Sequence, residues 1–241
     1  MNKLPKPIPR ILYMEFILGR GVYMREKKQH QFLKYMALGD SLTVGVGASF
    51  LAPGFVSNYA RLTEAELNAR VFVDVYARSG IETGEVLKIV ENPCLHEKIK
   101  HANIITLSAG GNDLISASKV FADTGSDADL QESLKECREN VGNIITIVKE
   151  LKKDCGEPYM IRILNLYNPL PELPLSDKWV RLFNRHLNSF DDGSLIRVAN
   201  IYSIFKGRED ELLSRDRIHP NNRGYEEIAY TLLQLGYKGI D

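Results

Sequence analysis

The feature that most limits the fold of this chain is a regular alternation of strand-like and helical segments. Short apolar runs, typical of buried strands, occupy residues 35–38, 71–76, 103–108, 159–166 and 195–200. Segments with helical spacing alternate with them, at about 55–69, 83–92, 128–152, 177–190 and 222–235. Neighbouring parallel strands need crossover connections, which are usually helices. The pattern therefore predicts an α/β fold with a parallel sheet covered on both faces.

Length and charge limit the organisation and the partners of the chain. With 241 residues, 44% of them hydrophobic, it is long enough to bury one large core. We expect one domain over residues 34–241, preceded by an N-terminal extension, residues 1–33. The 31 basic and 31 acidic residues balance, so no overall positive field indicates a nucleic-acid partner.

The N-terminal extension contains an apolar stretch, residues 11–23. Glu15 and Arg20 interrupt it, and no small-residue cleavage site follows, which argues against a secretory signal. Its uninterrupted apolar runs are shorter than the roughly 20 residues of a membrane span. We expect the extension to contain a short helix that either packs on the domain or contacts a membrane surface.

The three cysteines, Cys94, Cys137 and Cys155, form no CxxC pair and cannot all be paired with one another. This pattern predicts reduced thiols in a cytoplasmic protein, with neither a disulfide framework nor a zinc site.

Polar residues and glycines follow the predicted strands where each strand ends. In such sheets, ligands bind beyond the carboxyl ends of the strands. The first strand leads into Ser41, the second is followed by Gly80, and the third by Gly110-Gly111-Asn112-Asp113. A late loop before the last helix adds Asp216 and His219. These are the residue types that catalyse acyl transfer.

Each of these residues has a role in such chemistry. A serine hydroxyl is a poor nucleophile at neutral pH, so a histidine must take its proton, and a carboxylate must orient that histidine. Ser41, His219 and Asp216 supply these groups. The oxyanion that forms needs donors, and losing one typically costs ~3 to 4 kcal/mol of barrier. The backbone N–H groups of Ser41 and Gly80 and the side-chain amide of Asn112 are the candidates.

Other readings of single residues remain open. Asp40 competes with Asp216 as the partner of His219, although we expect it to stabilise the turn beside Ser41. Asp113 is expected to hold its own loop. Each glycine, taken alone, is compatible with a simple turn. The other histidines lack acidic partners at ligand-like spacing and are expected to be surface or capping residues: His30, His96, His101 and His186.

Four blocks in this order resemble the GDSL, or SGNH, hydrolases. They are Gly39-Asp40-Ser41-Leu42, Gly80, Gly110-Gly111-Asn112-Asp113 and Asp216-Arg217-Ile218-His219-Pro220, and the resemblance covers about residues 34–232. It implies a flavodoxin-like, three-layer α/β/α sandwich with a five-stranded parallel sheet. It also implies that Ser41 is the nucleophile and an oxyanion donor. By the same resemblance Gly80 and Asn112 complete the oxyanion hole, His219 is the base, Asp216 orients it, and no metal or organic cofactor is needed.

The chain departs from the family pattern in two places, at Arg78 and in the extension before residue 34, which has no place in the family core. Many relatives have asparagine where this chain has Arg78, two residues before Gly80. The loop at residues 165–174, NLYNPLPELP, resembles one found in bacterial lipase-like members. It is expected either to line an acyl pocket with Tyr167, Leu170 and Leu173 or to pack on the core as a proline-stiffened loop.

The function that these observations predict is a serine esterase or lipase that hydrolyses carboxylic esters, of small molecules or lipids, through an acyl-enzyme on Ser41. One alternative is an esterase that removes O-acetyl groups from carbohydrate or cell-wall material. An alternative of another class is a non-catalytic binding module on the same fold. The presence of both the serine and the histidine favours an enzyme, whose activity should fall in acid as the histidine base becomes protonated.

Overall fold

The computed structural model describes residues 32–240, which form one parallel sheet covered by helices. The sheet has the strand order β2-β1-β3-β4-β5, and every neighbouring pair is parallel. The strands are β1 (Phe32–Gly39), β2 (Arg70–Ala77), β3 (Ile104–Ser108), β4 (Met160–Leu164) and β5 (Ile196–Ala199). The predicted α/β class and five-stranded parallel sheet are confirmed, and all five predicted strands are present.

Ten helices surround the sheet within the described residues. Helices α2, α8 and α10 pack with one face of the sheet, and α3, α4, α6 and α7 pack with the other. The helices are α1 (Ser41–Val44), α2 (Phe55–Leu67), α3 (Thr83–Glu91), α4 (Pro93–His101), α5 (Gly111–Thr124), α6 (Ala128–Lys152), α7 (Ser176–Asn188), α8 (Ile201–Phe205), α9 (Glu209–Leu212) and α10 (Asn222–Gln234). This is the predicted three-layer α/β/α sandwich.

Strand β1 shows why the core has two halves. Successive strand side chains point to opposite faces. Tyr35 and Ala37 therefore pack under α2 and α10, whereas Met36 and Leu38 pack under α3 and α6. All four are buried, because helices cover both faces of the strand.

Five of the ten helices are absent from the sequence prediction: the short α1, α8 and α9, and the longer α4 and α5. Helix α4 begins at Pro93, where the Asn92 side chain accepts the N–H of Cys94 as a cap. Helix α5 begins within the Gly-Gly-Asn-Asp segment, which as a sequence is typical of a turn. Ala117 of α5 packs against Leu130 of α6 and Trp179 of α7, so α5 is stabilised by contacts that form only when the three helices assemble.

The predicted boundary between extension and domain falls close to the first strand. Strand β1 begins at Phe32, two residues before the expected domain start. The predicted N-terminal extension otherwise lies outside the described residues, so the helix expected there stays a prediction. Among residues 32–240, no helix is long and apolar enough to cross a bilayer.

Candidate active site

The five predicted catalytic and oxyanion-hole residues meet at the carboxyl edge of the sheet. Ser41 lies at the first position of α1, two residues after the end of β1, and Gly80 and Asn112 follow β2 and β3. The loop before α10 brings Asp216 and His219 to the same edge. All but Asp216 line one cleft.

The turn that presents Ser41 is fixed by Asp40 and Ser108. An oxygen of the buried Asp40 carboxylate caps α1 by accepting the N–H of Leu42 at 3.0 Å, and accepts the Ser108 hydroxyl at 2.8 Å. Burial raises the pKa of Asp40 to about 6, although these hydrogen bonds act against the rise. Asp40 thus stabilises the turn, as expected, and makes no hydrogen bond to His219.

Gly39 is required for the same turn. Its φ is +150°, and a Cβ atom there would lie 2.3 Å from the Ser108 hydroxyl oxygen. No side chain fits at that distance, so only glycine lets β1 approach β3 and turn into Ser41.

Ser41, His219 and Asp216 form a continuous hydrogen-bonded chain. The Ser41 hydroxyl lies 2.9 Å from Nε2 of His219, and Nδ1 of the same ring lies 2.7 Å from the Asp216 carboxylate. The hydroxyl and the carboxylate therefore contact opposite nitrogens of one imidazole. This arrangement allows the ring to accept a proton on one side while the carboxylate stabilises the charge from the other.

The Asp216 carboxylate is held by four hydrogen bonds. One oxygen accepts the backbone N–H groups of Ile218 and His219, each at 2.9 Å, and the Ser214 hydroxyl at 2.8 Å. The other accepts from the His219 ring. Burial acts to raise the pKa of Asp216, but these bonds outweigh it and hold the pKa well below its usual range. Ser214 was not among the predicted site residues, and its position two residues before Asp216 was its only signal in the sequence.

The loop that carries His219 is anchored at three points. The N–H of Ser214 donates to the His219 carbonyl at 2.7 Å, which closes the loop on itself. The Tyr167 hydroxyl donates to the Ile218 carbonyl at 2.6 Å. Asn221 caps α10 by accepting the N–H of Gly224. The imidazole is thus placed by a preorganised loop.

The three predicted oxyanion donors lie along the cleft. Within residues 32–240, the backbone N–H groups of Ser41 and Gly80 donate no hydrogen bond to another protein group. The Asn112 amide donates one hydrogen to the Ile81 carbonyl at 2.8 Å, which orients it. Since an amide nitrogen carries two hydrogens, the second is available to a ligand.

The loops that carry these donors are tied to each other. The Asp113 carboxylate accepts both the N–H and the hydroxyl of Thr83, so the start of α5 is joined to the start of α3. Asp113 holds its loop, as expected. The Arg78 guanidinium forms an ion pair with Glu85 at the surface. The Arg78 backbone N–H bonds the Gly39 carbonyl, so the segment before Gly80 is still held against β1.

The cleft beside Ser41 has a volume of about 310 Å³ and a largely apolar wall. Tyr167 lines it, as one reading of the sequence predicted, but Leu170 and Leu173 do not. Asn168 is bonded to Ser176 and to the N–H of Leu170, and Leu173 is 51% exposed, so a role of these two leucines in the acyl pocket stays a prediction. Sequence analysis missed the apolar wall, whose side chains come from separate elements: Leu114, Ile115, Leu166, Val180 and Ile218.

The prediction that the other histidines lack acidic partners was wrong for His101. Its ring nitrogens lie 3.5 Å from Glu97 and 3.0 Å from Glu157. Glu97 is one helical turn away on α4, and Glu157 is brought in from the loop before β4. His30 lies outside the described residues.

Sequence comparison identifies a family and a similar named protein. The profile of the GDSL-like lipase/acylhydrolase family matches residues 37–227. The chain is 42% identical over 209 residues to the spore germination lipase LipC of Bacillus licheniformis, with 87% of this chain and 99% of that protein covered.

Structural comparison agrees with this result. The crystal structure of the lipase Lip_vut3 from a goat rumen metagenome has a TM-score of 0.82 and 42% identity, covering 87% of this chain and 100% of that chain. An acetylxylan esterase of Geobacillus stearothermophilus, at a TM-score of 0.65 and 17% identity over 87% of this chain and 96% of that one, shares the fold. The chain therefore belongs to the GDSL-like lipase/acylhydrolase family and is an ester hydrolase of the esterase and lipase type.

Proposed function

We propose that the chain hydrolyses carboxylic esters through an acyl-enzyme on Ser41. Nε2 of His219 takes the hydroxyl proton as Oγ attacks the ester carbonyl carbon. The resulting oxyanion is bound by the N–H groups of Ser41 and Gly80 and by the Asn112 amide. The tetrahedral intermediate then expels the alcohol, which receives the proton from His219.

The second half of the reaction repeats the first with water. His219 removes a proton from the water molecule that attacks the acyl carbon, and returns it to Ser41 as the acid leaves. Asp216 stays ionised throughout and stabilises the imidazolium. The observation that carries this proposal is the hydrogen-bonded chain from Ser41 through both nitrogens of His219 to Asp216.

The walls of the cleft support an acyl group longer than acetyl. Leu114, Leu166 and Val180 line the cleft with apolar side chains, and the wall includes Ile115, which is 41% exposed. Burying each methylene of an acyl chain there contributes about 0.8 kcal/mol. The similarity to two proteins named as lipases points in the same direction.

Two exposed apolar side chains also favour a lipid-like substrate. Phe50 and Leu51, in the loop between α1 and α2, are 94% and 89% exposed. The same loop contacts the active-site loop, because a Cβ atom on Gly47 would lie 2.8 Å from Cβ of His219. Apolar side chains beside a cleft suit an aggregated ester better than a fully dissolved one.

The decisive experiment compares Ser41→Ala with Ser189→Ala on p-nitrophenyl esters of increasing acyl length. Ser189 is exposed at the end of α7, a helix that leads back to the amino edge of the sheet. We expect hydrolysis by wild type and Ser189→Ala, and a loss of at least about a thousandfold in Ser41→Ala. Equal activity of the two variants would refute the assignment of the nucleophile.

The same series separates the alternatives. A preference for medium or long acyl chains supports the proposal, whereas release of acetate from acetylated glycans with no activity on longer esters would favour the O-acetyl esterase. Labelling by a fluorophosphonate probe distinguishes an enzyme from a binding module. The probe should modify wild type and leave Ser41→Ala unlabelled.

A cytoplasmic location and a membrane contact through the N-terminal extension are part of the proposal too. All three cysteines lie in the described part of the chain and carry free thiols, which supports a reducing compartment. Fractionation of the full-length protein in its own cells, with and without residues 1–31, tests both.

A further inference from the structure

We propose that His101, Cys155 and Glu157 bind one divalent transition-metal ion, with zinc as the best fit. His101 is the last residue of α4, and Cys155 and Glu157 lie in the loop between α6 and β4. This cluster therefore lies at the amino edge of the sheet. The five residues of β3 and a rise of about 3.3 Å per residue separate it from the edge that carries Ser41.

The three side chains converge as ligands do. Nδ1 of His101 lies 3.0 Å from a Glu157 oxygen and 3.8 Å from Sγ of Cys155, and all three donor atoms lie within 4.8 Å of one another. Tetrahedral zinc, with bonds of about 2.0 to 2.3 Å, separates its ligand atoms by about 3.3 to 3.8 Å. Small side-chain movements satisfy that geometry.

The use of the histidine nitrogens distinguishes this cluster from a nucleophilic site. In a relay, the nucleophile and the carboxylate contact opposite nitrogens of the ring. Here the thiol and the Glu157 carboxylate both face Nδ1. A thiol, an imidazole nitrogen and a carboxylate aimed at one point suit a shared ion.

The other ring nitrogen faces a carboxylate at ion-pair distance. Nε2 of His101 lies 3.5 Å from the carboxylate of Glu97, one helical turn earlier. A carboxylate on the distal N–H fixes the ring and increases the basicity of the coordinating nitrogen. Lys100, in turn, lies 3.8 Å from Glu97.

The backbone around the ligands is held by contacts between the two loops. The Asn103 amide donates to the Pro158 carbonyl at 3.0 Å, and the N–H of Met160 donates to the Asn103 carbonyl at 2.8 Å. The buried Lys152 ammonium donates hydrogen bonds to the carbonyls of Lys100 and Ala102, at the end of α4.

The turn between the two loop ligands, Cys155 and Glu157, is made by Gly156, whose φ of +66° favours glycine. The site is therefore largely preorganised.

The donor set selects the kind of ion. One thiolate, one imidazole and one carboxylate suit zinc, whereas calcium and magnesium prefer oxygen ligands alone. His101 and Glu157 are 37% and 41% exposed, so water has access to the fourth position. Binding releases the thiol proton to solvent and joins the end of α4 to the loop before β4.

The test uses the full-length protein, reduced and treated with a chelator that is then removed. We expect calorimetric titration with Zn²⁺ to give one site, and Co²⁺ to give a sulfur-to-metal charge-transfer band. Cys155→Ser should abolish this band and weaken zinc binding at least about tenfold. Cys94→Ser, which removes an exposed thiol on α4 outside the cluster, should retain both signals.

Glu97→Gln provides a second variant that leaves all three ligands in place. We expect it to weaken zinc binding about tenfold while the band remains. Circular dichroism verifies that each variant is folded. Absence of zinc binding by the folded wild type, or equal binding by wild type and Cys155→Ser, would overturn the proposal.

Discussion

Two histidine clusters lie at opposite edges of the same sheet, and they use the imidazole ring differently. His219 has a hydroxyl at Nε2 and a carboxylate at Nδ1, so a proton that arrives on one side is stabilised from the other. His101 has a thiol and a carboxylate at the same nitrogen, Nδ1. The first arrangement is suited to proton transfer and the second to chelation.

The two clusters also differ in what surrounds them. His219 opens into an apolar cleft lined with oxyanion donors, whereas His101 lies among exposed charges. Residue types alone do not separate the two, because each contains a histidine, a carboxylate and a potential nucleophile. The geometry around the ring decides the chemistry.

The strongest test of this comparison is to remove the His219 ring. His219→Gln should lower kcat/KM for a p-nitrophenyl ester by at least about a thousandfold, because Ser41 loses its base. His186→Gln, on α7 and in neither cluster, should leave hydrolysis unchanged. Zinc affinity should be the same in His219→Gln and wild type, since the clusters lie at opposite edges. A parallel loss of hydrolysis and zinc binding would show that they are not independent.

The role of the distal carboxylate gives a second, smaller effect. In Asp216→Asn the amide oxygen stays with the N–H groups of Ile218 and His219, so the NH2 group faces Nδ1. The ring is then held in the tautomer that carries its proton on Nε2, which cannot accept the Ser41 proton, and we expect kcat/KM to fall about a hundredfold or more. In wild type, acid should abolish activity in a one-proton step, because protonated His219 cannot accept the Ser41 proton. The pKa of Asp216 lies well below its usual range, so this carboxylate stays ionised across that step. The profile is measured from pH 4 to 9, and a two-proton acid limb would contradict this assignment.

The buried Asp40 carboxyl should make the free energy of unfolding depend on pH. Burial raises its pKa from 3.8 in the unfolded chain to about 6, so the folded state holds the proton more tightly. Its contribution to stability is fully present below pH 3.8 and is lost as pH rises through 6, by a total on the order of 3 kcal/mol.

The variant Asp40→Asn isolates this contribution. Its amide oxygen can still accept from Leu42 and Ser108 but does not ionise. Relative to wild type, it should gain stability between about pH 4 and 6 in urea unfolding followed by circular dichroism. A difference that does not vary with pH would exclude the raised pKa.

The smallest effect concerns the wall of the cleft. Ile115→Ala removes apolar surface that lines the cleft, and should lower kcat/KM for long-chain esters by about fivefold, corresponding to about 1 kcal/mol, with little change for acetate esters. Leu173→Ala removes a side chain of similar size outside the cleft. Equal effects of the two variants would indicate that the 165–174 loop contacts the acyl chain after all.

Much of the His219 cluster could be predicted from the sequence. Ser41, Gly80 and Asn112 each follow a strand-like run, and the carboxyl ends of parallel strands meet at one edge. Asp216 and His219 are close in sequence and share a loop. The strands themselves were predictable because burial on both faces favours mainly apolar runs, as in β3 and β4, although β4 includes the buried Arg162.

The apolar wall and the His101 cluster depended on tertiary structure. Leu114, Leu166 and Val180 come from two helices and a loop, and their shared wall follows from how those elements pack on the sheet. Cys155 and Glu157 lie more than fifty residues from His101, and they meet only because β3 and β4 pair in register from Ile104 and Met160. Local sequence determines strand, turn and cap, since each depends on neighbouring residues. Which atoms face the ring nitrogens of His219 and His101 is decided only by the tertiary structure, because those atoms come from segments that are distant in the sequence.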